Sequence, residues 1–261
     1  MRDLRLTEIW IYPIKSLGGM RMKSSPVLEK GLQFDRRWML VDEVGNFMTQ
    51  RMALFKLTLG KDHLAIRHQE HFTSLPFTHS IIDLPIETKV FDDSVTVYEV
   101  SGPYSQWFSE RLNRKCKLVS FPEENKRPVD PDYQINAEQV SLADGFPFLI
   151  IGEESLRDLN NRLKKPLPMN RFRPNLVFNG GVAFEEDSWR NFTIGKNRFV
   201  GIKPCGRCVV TTVNQDTAEK GLEPLATLST YRKRGGNVYF GQNVIAIDHE
   251  EIFEGDEIIL G

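Results

Sequence analysis

The sequence predicts a mainly β protein with α/β elements, its strands forming a barrel or a strongly curved sheet. Short β-branched and aromatic runs recur along all 261 residues. Helical spacing of apolar residues occurs in only a few scattered stretches, and strands and helices do not alternate as a doubly wound βαβ chain requires.

Taken in order, residues 6–14 form a β-branched and aromatic run, read as a buried strand that stops at Pro13 and Lys15. Residues 37–41 and 47–50 flank Glu43-Val44-Gly45-Asn46 as a hairpin. Residues 94–100 alternate as a strand. Pro103 opens a helix carrying Tyr104, Trp107, Phe108 and Leu112. A second helix, 153–164, places Leu156, Leu159 and Leu163 on one face and ends before Pro166, and a third starts at Pro224 with Leu225, Leu228 and Tyr231. Residues 175–178, 199–202, 208–213, 238–247 and 252–260 read as strands. The segment 122–132, with three prolines and many charges, reads as an extended surface connector and as the boundary between two parts of the chain.

Composition narrows the function classes. The formal net charge of −1 supplies no global field for nucleic acid or an anionic membrane. No apolar signal segment opens the chain, and charges interrupt every candidate membrane span. Cys116, Cys205 and Cys208 are an odd set that argues against a secreted disulfide framework, so a cytoplasmic protein without nucleic-acid or membrane partners is expected.

Chemistry concentrates at Cys205-Gly206-Arg207-Cys208. A thiol beside a guanidinium is biased toward the thiolate, the form that binds soft metals. A redox dithiol would need a helix start after the motif, and a zinc site would need two more ligands, whereas Cys116 and His249 lie far away in sequence. A single thiolate ligand for a heavier metal and a purely structural pair both remain. The turn Tyr12-Pro13-Ile14-Lys15-Ser16-Leu17-Gly18-Gly19 offers a cation, a hydroxyl and flexible backbone to an oxyanion, without P-loop spacing. Arg36, Arg37, Arg171 and Arg173 stand at strand mouths, where guanidinium groups form surface ion pairs or converge on phosphate. Gly241, within a strand pattern, signals a bulge. His63, His68, His71 and His79 lie in a polar region and read as exposed.

Tyr-Pro-Ile-Lys-Ser (12–16), Asp-Arg-Arg-Trp (35–38), Arg-Phe-Arg-Pro-Asn (171–175), Glu-Asp-Ser-Trp (186–189), Cys-Gly-Arg-Cys (205–208), Thr-Thr-Val (211–213) and Phe-Gly-Gln-Asn (240–243) together resemble the MOSC superfamily. Within it the chain is most similar to the amidoxime-reducing proteins and their bacterial relatives. The resemblance spans essentially the whole chain. It implies a MOSC β-barrel over 122–261 and a smaller N-terminal region over 1–121, whose first strand, within 1–36, packs into the barrel. It implies molybdenum cofactor (Mo-molybdopterin), with Cys208 as the metal's protein ligand. Lys15, Ser16, Arg36, Arg173, Asn175 and Arg207 match positions that hold the cofactor and its phosphate. Asp144, Gly145 and Phe146 match a lining loop, and Gly206 and Asn243 match contact positions. Asp144 is also the one nearby carboxylate for proton delivery. Gly206 departs from the serine usual in these relatives; its backbone N–H remains. The implied activity is reduction of small N-hydroxylated substrates (bases, amidoximes, hydroxylamines) with electrons from a separate flavin, haem or iron–sulfur donor protein. The alternative is a carrier of molybdenum cofactor or sulfur without small-molecule turnover.

Overall fold

The computed structural model describes residues 3–48 and 54–261. Among the described residues the principal sheet has nine strands. In spatial order these are Ile258–Leu260, Asn191–Ile194, Asn197–Gly206, Asn237–Ala246, Phe148–Gly152, Leu176–Asn179, Arg5–Ile11 and Met20–Met22, with Lys233–Arg234 paired to Asn237–Ala246 off that path. The ladder returns on itself: Leu6 N–H donates to Asp256 O and Ile258 N–H to Leu4 O, 2.9 Å each. Ile258–Leu260, at one end of the sheet, is thereby joined to Arg5–Ile11, next to its other end, and the expected barrel forms. Phe148–Gly152 and Leu176–Asn179 pair in parallel, linked by the helix Glu153–Arg162, the α/β element of an otherwise antiparallel sheet. Bulges at Leu6/Glu8, Gly201/Lys203 and Pro204/Gly206 supply curvature. Gly201 is obligatory, since a Cβ there would lie 2.2 Å from Trp189 O. Gly241, in the left-handed region at φ +80°, bears out the irregularity its sequence context signalled.

A second sheet orders Trp38–Val41, Lys117–Ser120, Asp93–Val100 and Ile81–Val90. Two three-stranded sheets complete the described fold: Glu251–Phe253, Ser24–Leu28 and Gly31–Leu32; and Lys56–Leu59, His63–His68 and His71–Pro76. The barrel core packs Leu6, Ile9, Ile11, Phe148, Ile150, Leu176, Phe178, Phe192, Phe199 and Val244. Met39, Val41, Val95, Val97, Val119 and Leu142 fill a separate core behind the second sheet.

Several sequence expectations need correction. Residues 208–213 are not a strand: Val209–Thr212 is one turn of 3-10 helix. The Thr211 and Thr212 hydroxyls donate to Cys208 O and Val209 O, drawing the run into a turn despite its β-branched residues. Residues 252–260 divide into two strands at Glu254-Gly255-Asp256, where Gly255 has φ +94°. The third helix, Leu225–Ser229, stops before Tyr231, and the first strand ends at Ile11. The hairpin forms around Asp42, whose carboxylate accepts from Val44 and Asn46 N–H; of its second arm, Thr49 and Gln50 lie outside the described residues. His63, His68 and His79 are half-buried, His68 stacking on Phe55 at 4.6 Å; His71 is exposed. The connector is not uniformly a surface loop, because Arg127 and Val129 are buried.

Glu186 is fully buried at the junction of Gly152 and Ser155, accepting from the Ser155 hydroxyl and Gly152 N–H. Burial pushes its carboxyl up to about 7, against the stabilising hydrogen bonds from Ser155 and the backbone. The folded chain therefore holds this proton more tightly than the unfolded chain, and stability from this group is greatest below about pH 4.5 and lost as pH rises through about 7. Urea unfolding of Glu186→Gln should show this loss removed, with a gain over the parent on the order of 3 kcal/mol growing between those pH values.

Candidate functional site

The site is assembled by zipping residues 12–15 to residues 35–38. Tyr12 N–H donates to the buried Asp35 carboxylate (2.8 Å), Arg36 N–H to Tyr12 O (3.0 Å), Trp38 N–H to Pro13 O (3.1 Å) and Lys15 N–H to Trp38 O (2.7 Å). This brings Lys15, Ser16 and Arg36 to one end of the barrel. Leu142 N–H donates to Arg36 O, bringing in the loop that carries Asp144, Gly145 and Phe146. Asn175 ties the next strands together: its amide donates to Trp10 O, and its side-chain oxygen accepts from Leu149 N–H and, at 3.4 Å, from Arg36.

These segments enclose a cleft lined by Lys15, Ser16, Arg36, Asp144, Gly145, Phe146, Arg173, Asn175, Arg207, Cys208 and Asn243. Gly206, the remaining candidate, ends the strand Asn197–Gly206 between two lining residues, Cys205 and Arg207, but is not itself part of the wall. Among the described residues five cations line the cleft (Lys15, Arg36, Arg171, Arg173 and Arg207), and Asp144 supplies the lining's carboxylate. Phe47, Phe91, Phe146, Phe148 and Leu149 give it apolar walls.

Partners of the cations are unequal. Arg36 has the Asp35 carboxylate at 2.6 Å, which outweighs the opposing effect of burial and raises its pKa. Among the described residues Arg173 donates to neutral groups, Leu17 O at 2.7 Å and Gln215 Oε1 at 3.5 Å. Burial, aided by the neighbouring Arg36, drives its pKa down to about 10. Arg36 and Arg173 both lie over the ring of Tyr12, at 4.5 and 4.1 Å from its centroid. That ring is 1% exposed, its hydroxyl donates to Pro174 O at 3.1 Å, and burial raises its pKa.

Lys15 is buried, its Nζ 2.5 Å from Asp144 Oδ1 and over the Phe47 and Phe91 rings. Burial pushes the Asp144 carboxyl up, but the Lys15 ammonium and the Arg36 and Arg207 guanidinium groups prevail and hold it at about 2. The carboxylate is 68% exposed in the cleft, so solvent screens the pairing. An acid this low is ionised at neutral pH, and its carboxylate is the counter-ion of the Lys15 ammonium.

The cysteines also differ from expectation. Cys208 follows the strand, exposed, and heads the turn Val209–Thr212. The Arg207 guanidinium donates to Cys205 Sγ at 3.0 Å and to Phe172 O at 2.5 Å, so the thiol it touches is Cys205. Cys205 is half-buried against the cluster of Leu149, Phe172 and Phe240. Arg171 fixes the turn from beneath, its Nε donating to Thr211 O at 3.0 Å. Tyr12 and Asp35 belong to the site beyond the residues expected there, and Arg171 acts by bracing the turn; the signal for Tyr12 and Asp35 is their place in the motifs 12–16 and 35–38, beside Lys15 and Arg36.

A phosphorylated, anionic, metal-carrying pterin suits this donor set on four grounds. The cations exceed their carboxylates, and Arg207 Nε is buried without a partner. A soft sulfur stands at the wall, and among the described residues no atom lies within 4 Å of where a Cβ at Gly145 would sit, so packing within the described chain does not demand glycine there.

Residues 3–115 match the MOSC N-terminal beta barrel domain, and residues 137–259 match the MOSC domain. The chain is 34% identical to a molybdenum cofactor sulfurase of Oryza sativa subsp. japonica, across 99% of this chain but 34% of that protein. It is 34% identical to mitochondrial amidoxime-reducing component 1 of Mus musculus, across 87% of this chain and 71% of that protein. With the Homo sapiens protein of the same name it shares 32% identity, across 98% and 82%. The chain thus spans about a third of the plant relative and most of the mammalian ones.

Gly19 is held close to the platform ring, since a Cβ there would lie 2.3 Å from Tyr12 Cε1. Gly19→Ala should lower stability by about 1–3 kcal/mol in urea unfolding, whereas Gly145→Ala should leave the midpoint unchanged.

Proposed function

This chain belongs to the MOSC family, by its MOSC N-terminal beta barrel and its MOSC domain, and we propose that its cleft holds molybdenum cofactor for the reduction of N-hydroxylated compounds. The observation that carries the reading is the exposed Cys208 on the wall of a cleft where, among the described residues, five cations meet one lining carboxylate. Cys208 is the protein's sulfur ligand to the metal, placed by the end of a strand and the Arg171-braced turn. Arg36, Arg173 and Arg207, with Lys15, receive the terminal phosphate and the anionic pterin side, for which fork-shaped guanidinium groups are suited. Ser16, Asn175 and Asn243 offer neutral polar contacts, and the Phe146 and Leu149 walls exclude water. When bound, the cofactor supplies two-electron oxygen-transfer chemistry at its metal, which the cleavage of an N–O bond requires. Asp144 keeps Lys15 charged and in place. The substrate class is small N-hydroxylated bases, amidoximes and hydroxylamines, and electrons come from a separate flavin, haem or iron–sulfur protein. The same reading divides the chain at about residue 121, with the first strand lent to the barrel.

A carrier of the cofactor or its sulfur is the second reading, favoured by the likeness to the plant sulfurase along 99% of this chain. Protein reconstituted with cofactor and given a chemical reductant separates the two. Turnover of benzamidoxime and 6-hydroxylaminopurine is expected; stoichiometric cofactor with no turnover would support the carrier. Cys208→Ser should lose bound molybdenum and turnover, Cys205→Ser should retain molybdenum, and retention of metal by Cys208→Ser would contradict the ligand assignment. Gly206→Ser should fold normally, because the nearest neighbour of a Cβ there is Asn237 Cβ at 4.0 Å.

A further inference from the structure

We propose that Arg127, from the proline-rich connector, is the positioning residue of the cleft: it fixes the loop 141–145 and thereby the placement of Asp144 against Lys15. The guanidinium is 3% exposed and every one of its N–H donors is used. Nη1 donates to Ser141 O at 2.7 Å and Ala143 O at 2.5 Å, Nη2 to Asp144 O at 3.0 Å, and Nε and Nη2 to the Asp93 carboxylate at 2.9 and 2.6 Å. One side chain thus grips the carbonyls of three of four consecutive loop residues.

The connector is itself fastened where Arg127 leaves it. Val140 N–H donates to Arg127 O and Val129 N–H to Glu138 O, and Pro128 bridges Gln139. Tyr133, at the connector's tip, packs edge-on against the lining Phe146, with Lys203 Nζ 3.5 Å from the Tyr133 centroid. The connector therefore braces the cleft loop from its far side. Lysine, with three donors on a point charge, cannot span this arrangement, so Arg127→Lys is not a conservative change.

The last link, from loop to cofactor, rests on the reading proposed above; the first, from Arg127 to Asp144, does not. The test uses Arg127→Gln and Arg127→Lys in the full chain, following the Asp144 carboxyl carbon by 13C NMR from about pH 7 to pH 3.5. Lys15, Arg36, Arg173 and Arg207 act on that carboxylate and are unchanged in both variants, and Arg127→Lys also keeps the charge at 127, so a shift in it reports placement rather than lost charge. The parent should stay ionised throughout, whereas both variants should begin to protonate, their midpoints raised by about one pH unit or more. Affinity for molybdenum cofactor should fall roughly tenfold or more. A folded Arg127→Gln protein whose Asp144 titrates like the parent overturns the proposal. A shifted Asp144 with unchanged cofactor affinity upholds the brace and contradicts the link from this loop to the cofactor. If Arg127→Gln does not fold, Asp93→Asn, which keeps the three carbonyl contacts and removes the anchor, should shift Asp144 in the same direction by less; no shift overturns the proposal.

Discussion

Two guanidinium groups held over one buried phenol ring, Arg36 and Arg173 on Tyr12, are the constraint around which the rest of the cleft is arranged. Like charges in a water-poor setting repel, and removing each from water costs several kcal/mol unless it is paired. Asp35 settles the account for Arg36 alone. Arg173, Arg207 and Arg171 are left with carbonyl, amide and sulfur partners, and burial lowers the pKa of Arg173 and Arg171. The cluster therefore carries an electrostatic deficit that a bound anion would relieve. Binding and stability are coupled in proportion to that relief.

Local backbone conformation points to the same place. Ser16, Arg36 and Arg173 all have left-handed φ, at +71°, +51° and +53°, a region that disfavours residues with a Cβ, and all three line the cleft. Such conformations persist where surrounding contacts over-determine them. Arg36 is held at its N–H by Tyr12 O and at its carbonyl by Leu142 N–H, and Arg173 N–H is tied to Asn170 O. Glycine would fit these turns without strain but would carry no cation. The cost of the conformation is borne at residues that line the cleft, two of them cations.

Much of this was legible because the relevant residues sit at strand mouths and strand signals are strong there. The runs around Ile9, Phe178, Phe199 and Val244 are apolar and β-branched, and their order placed Lys15, Arg36, Arg173 and Arg207 on comparable loops. What failed has physical reasons. Ile81–Val90 leaves Ile82 and Leu84 exposed and contains Pro85, so an inward face shows in its second half alone, at Ile86, Thr88 and Val90. The Val209–Thr212 run has strand composition, yet two threonine hydroxyls bond back to carbonyls three residues earlier and close a turn. Adjacency of Arg207 to both cysteines did not reveal which sulfur it touches; that depends on the bulged end of the strand. Arg127 was hidden among prolines and surface charges, because a polar stretch in one dimension does not disclose a guanidinium turned inward.

The most direct test of the central claim is the composition of freshly isolated protein, with molybdenum measured by elemental analysis and pterin phosphate by release and assay. Near-stoichiometric molybdenum and phosphate, both lost together when Arg173 is replaced by methionine in a folded chain, is the predicted result. Protein that carries neither, and that takes up neither on incubation with the intact cofactor, would contradict the claim that this cluster of cations exists to receive it.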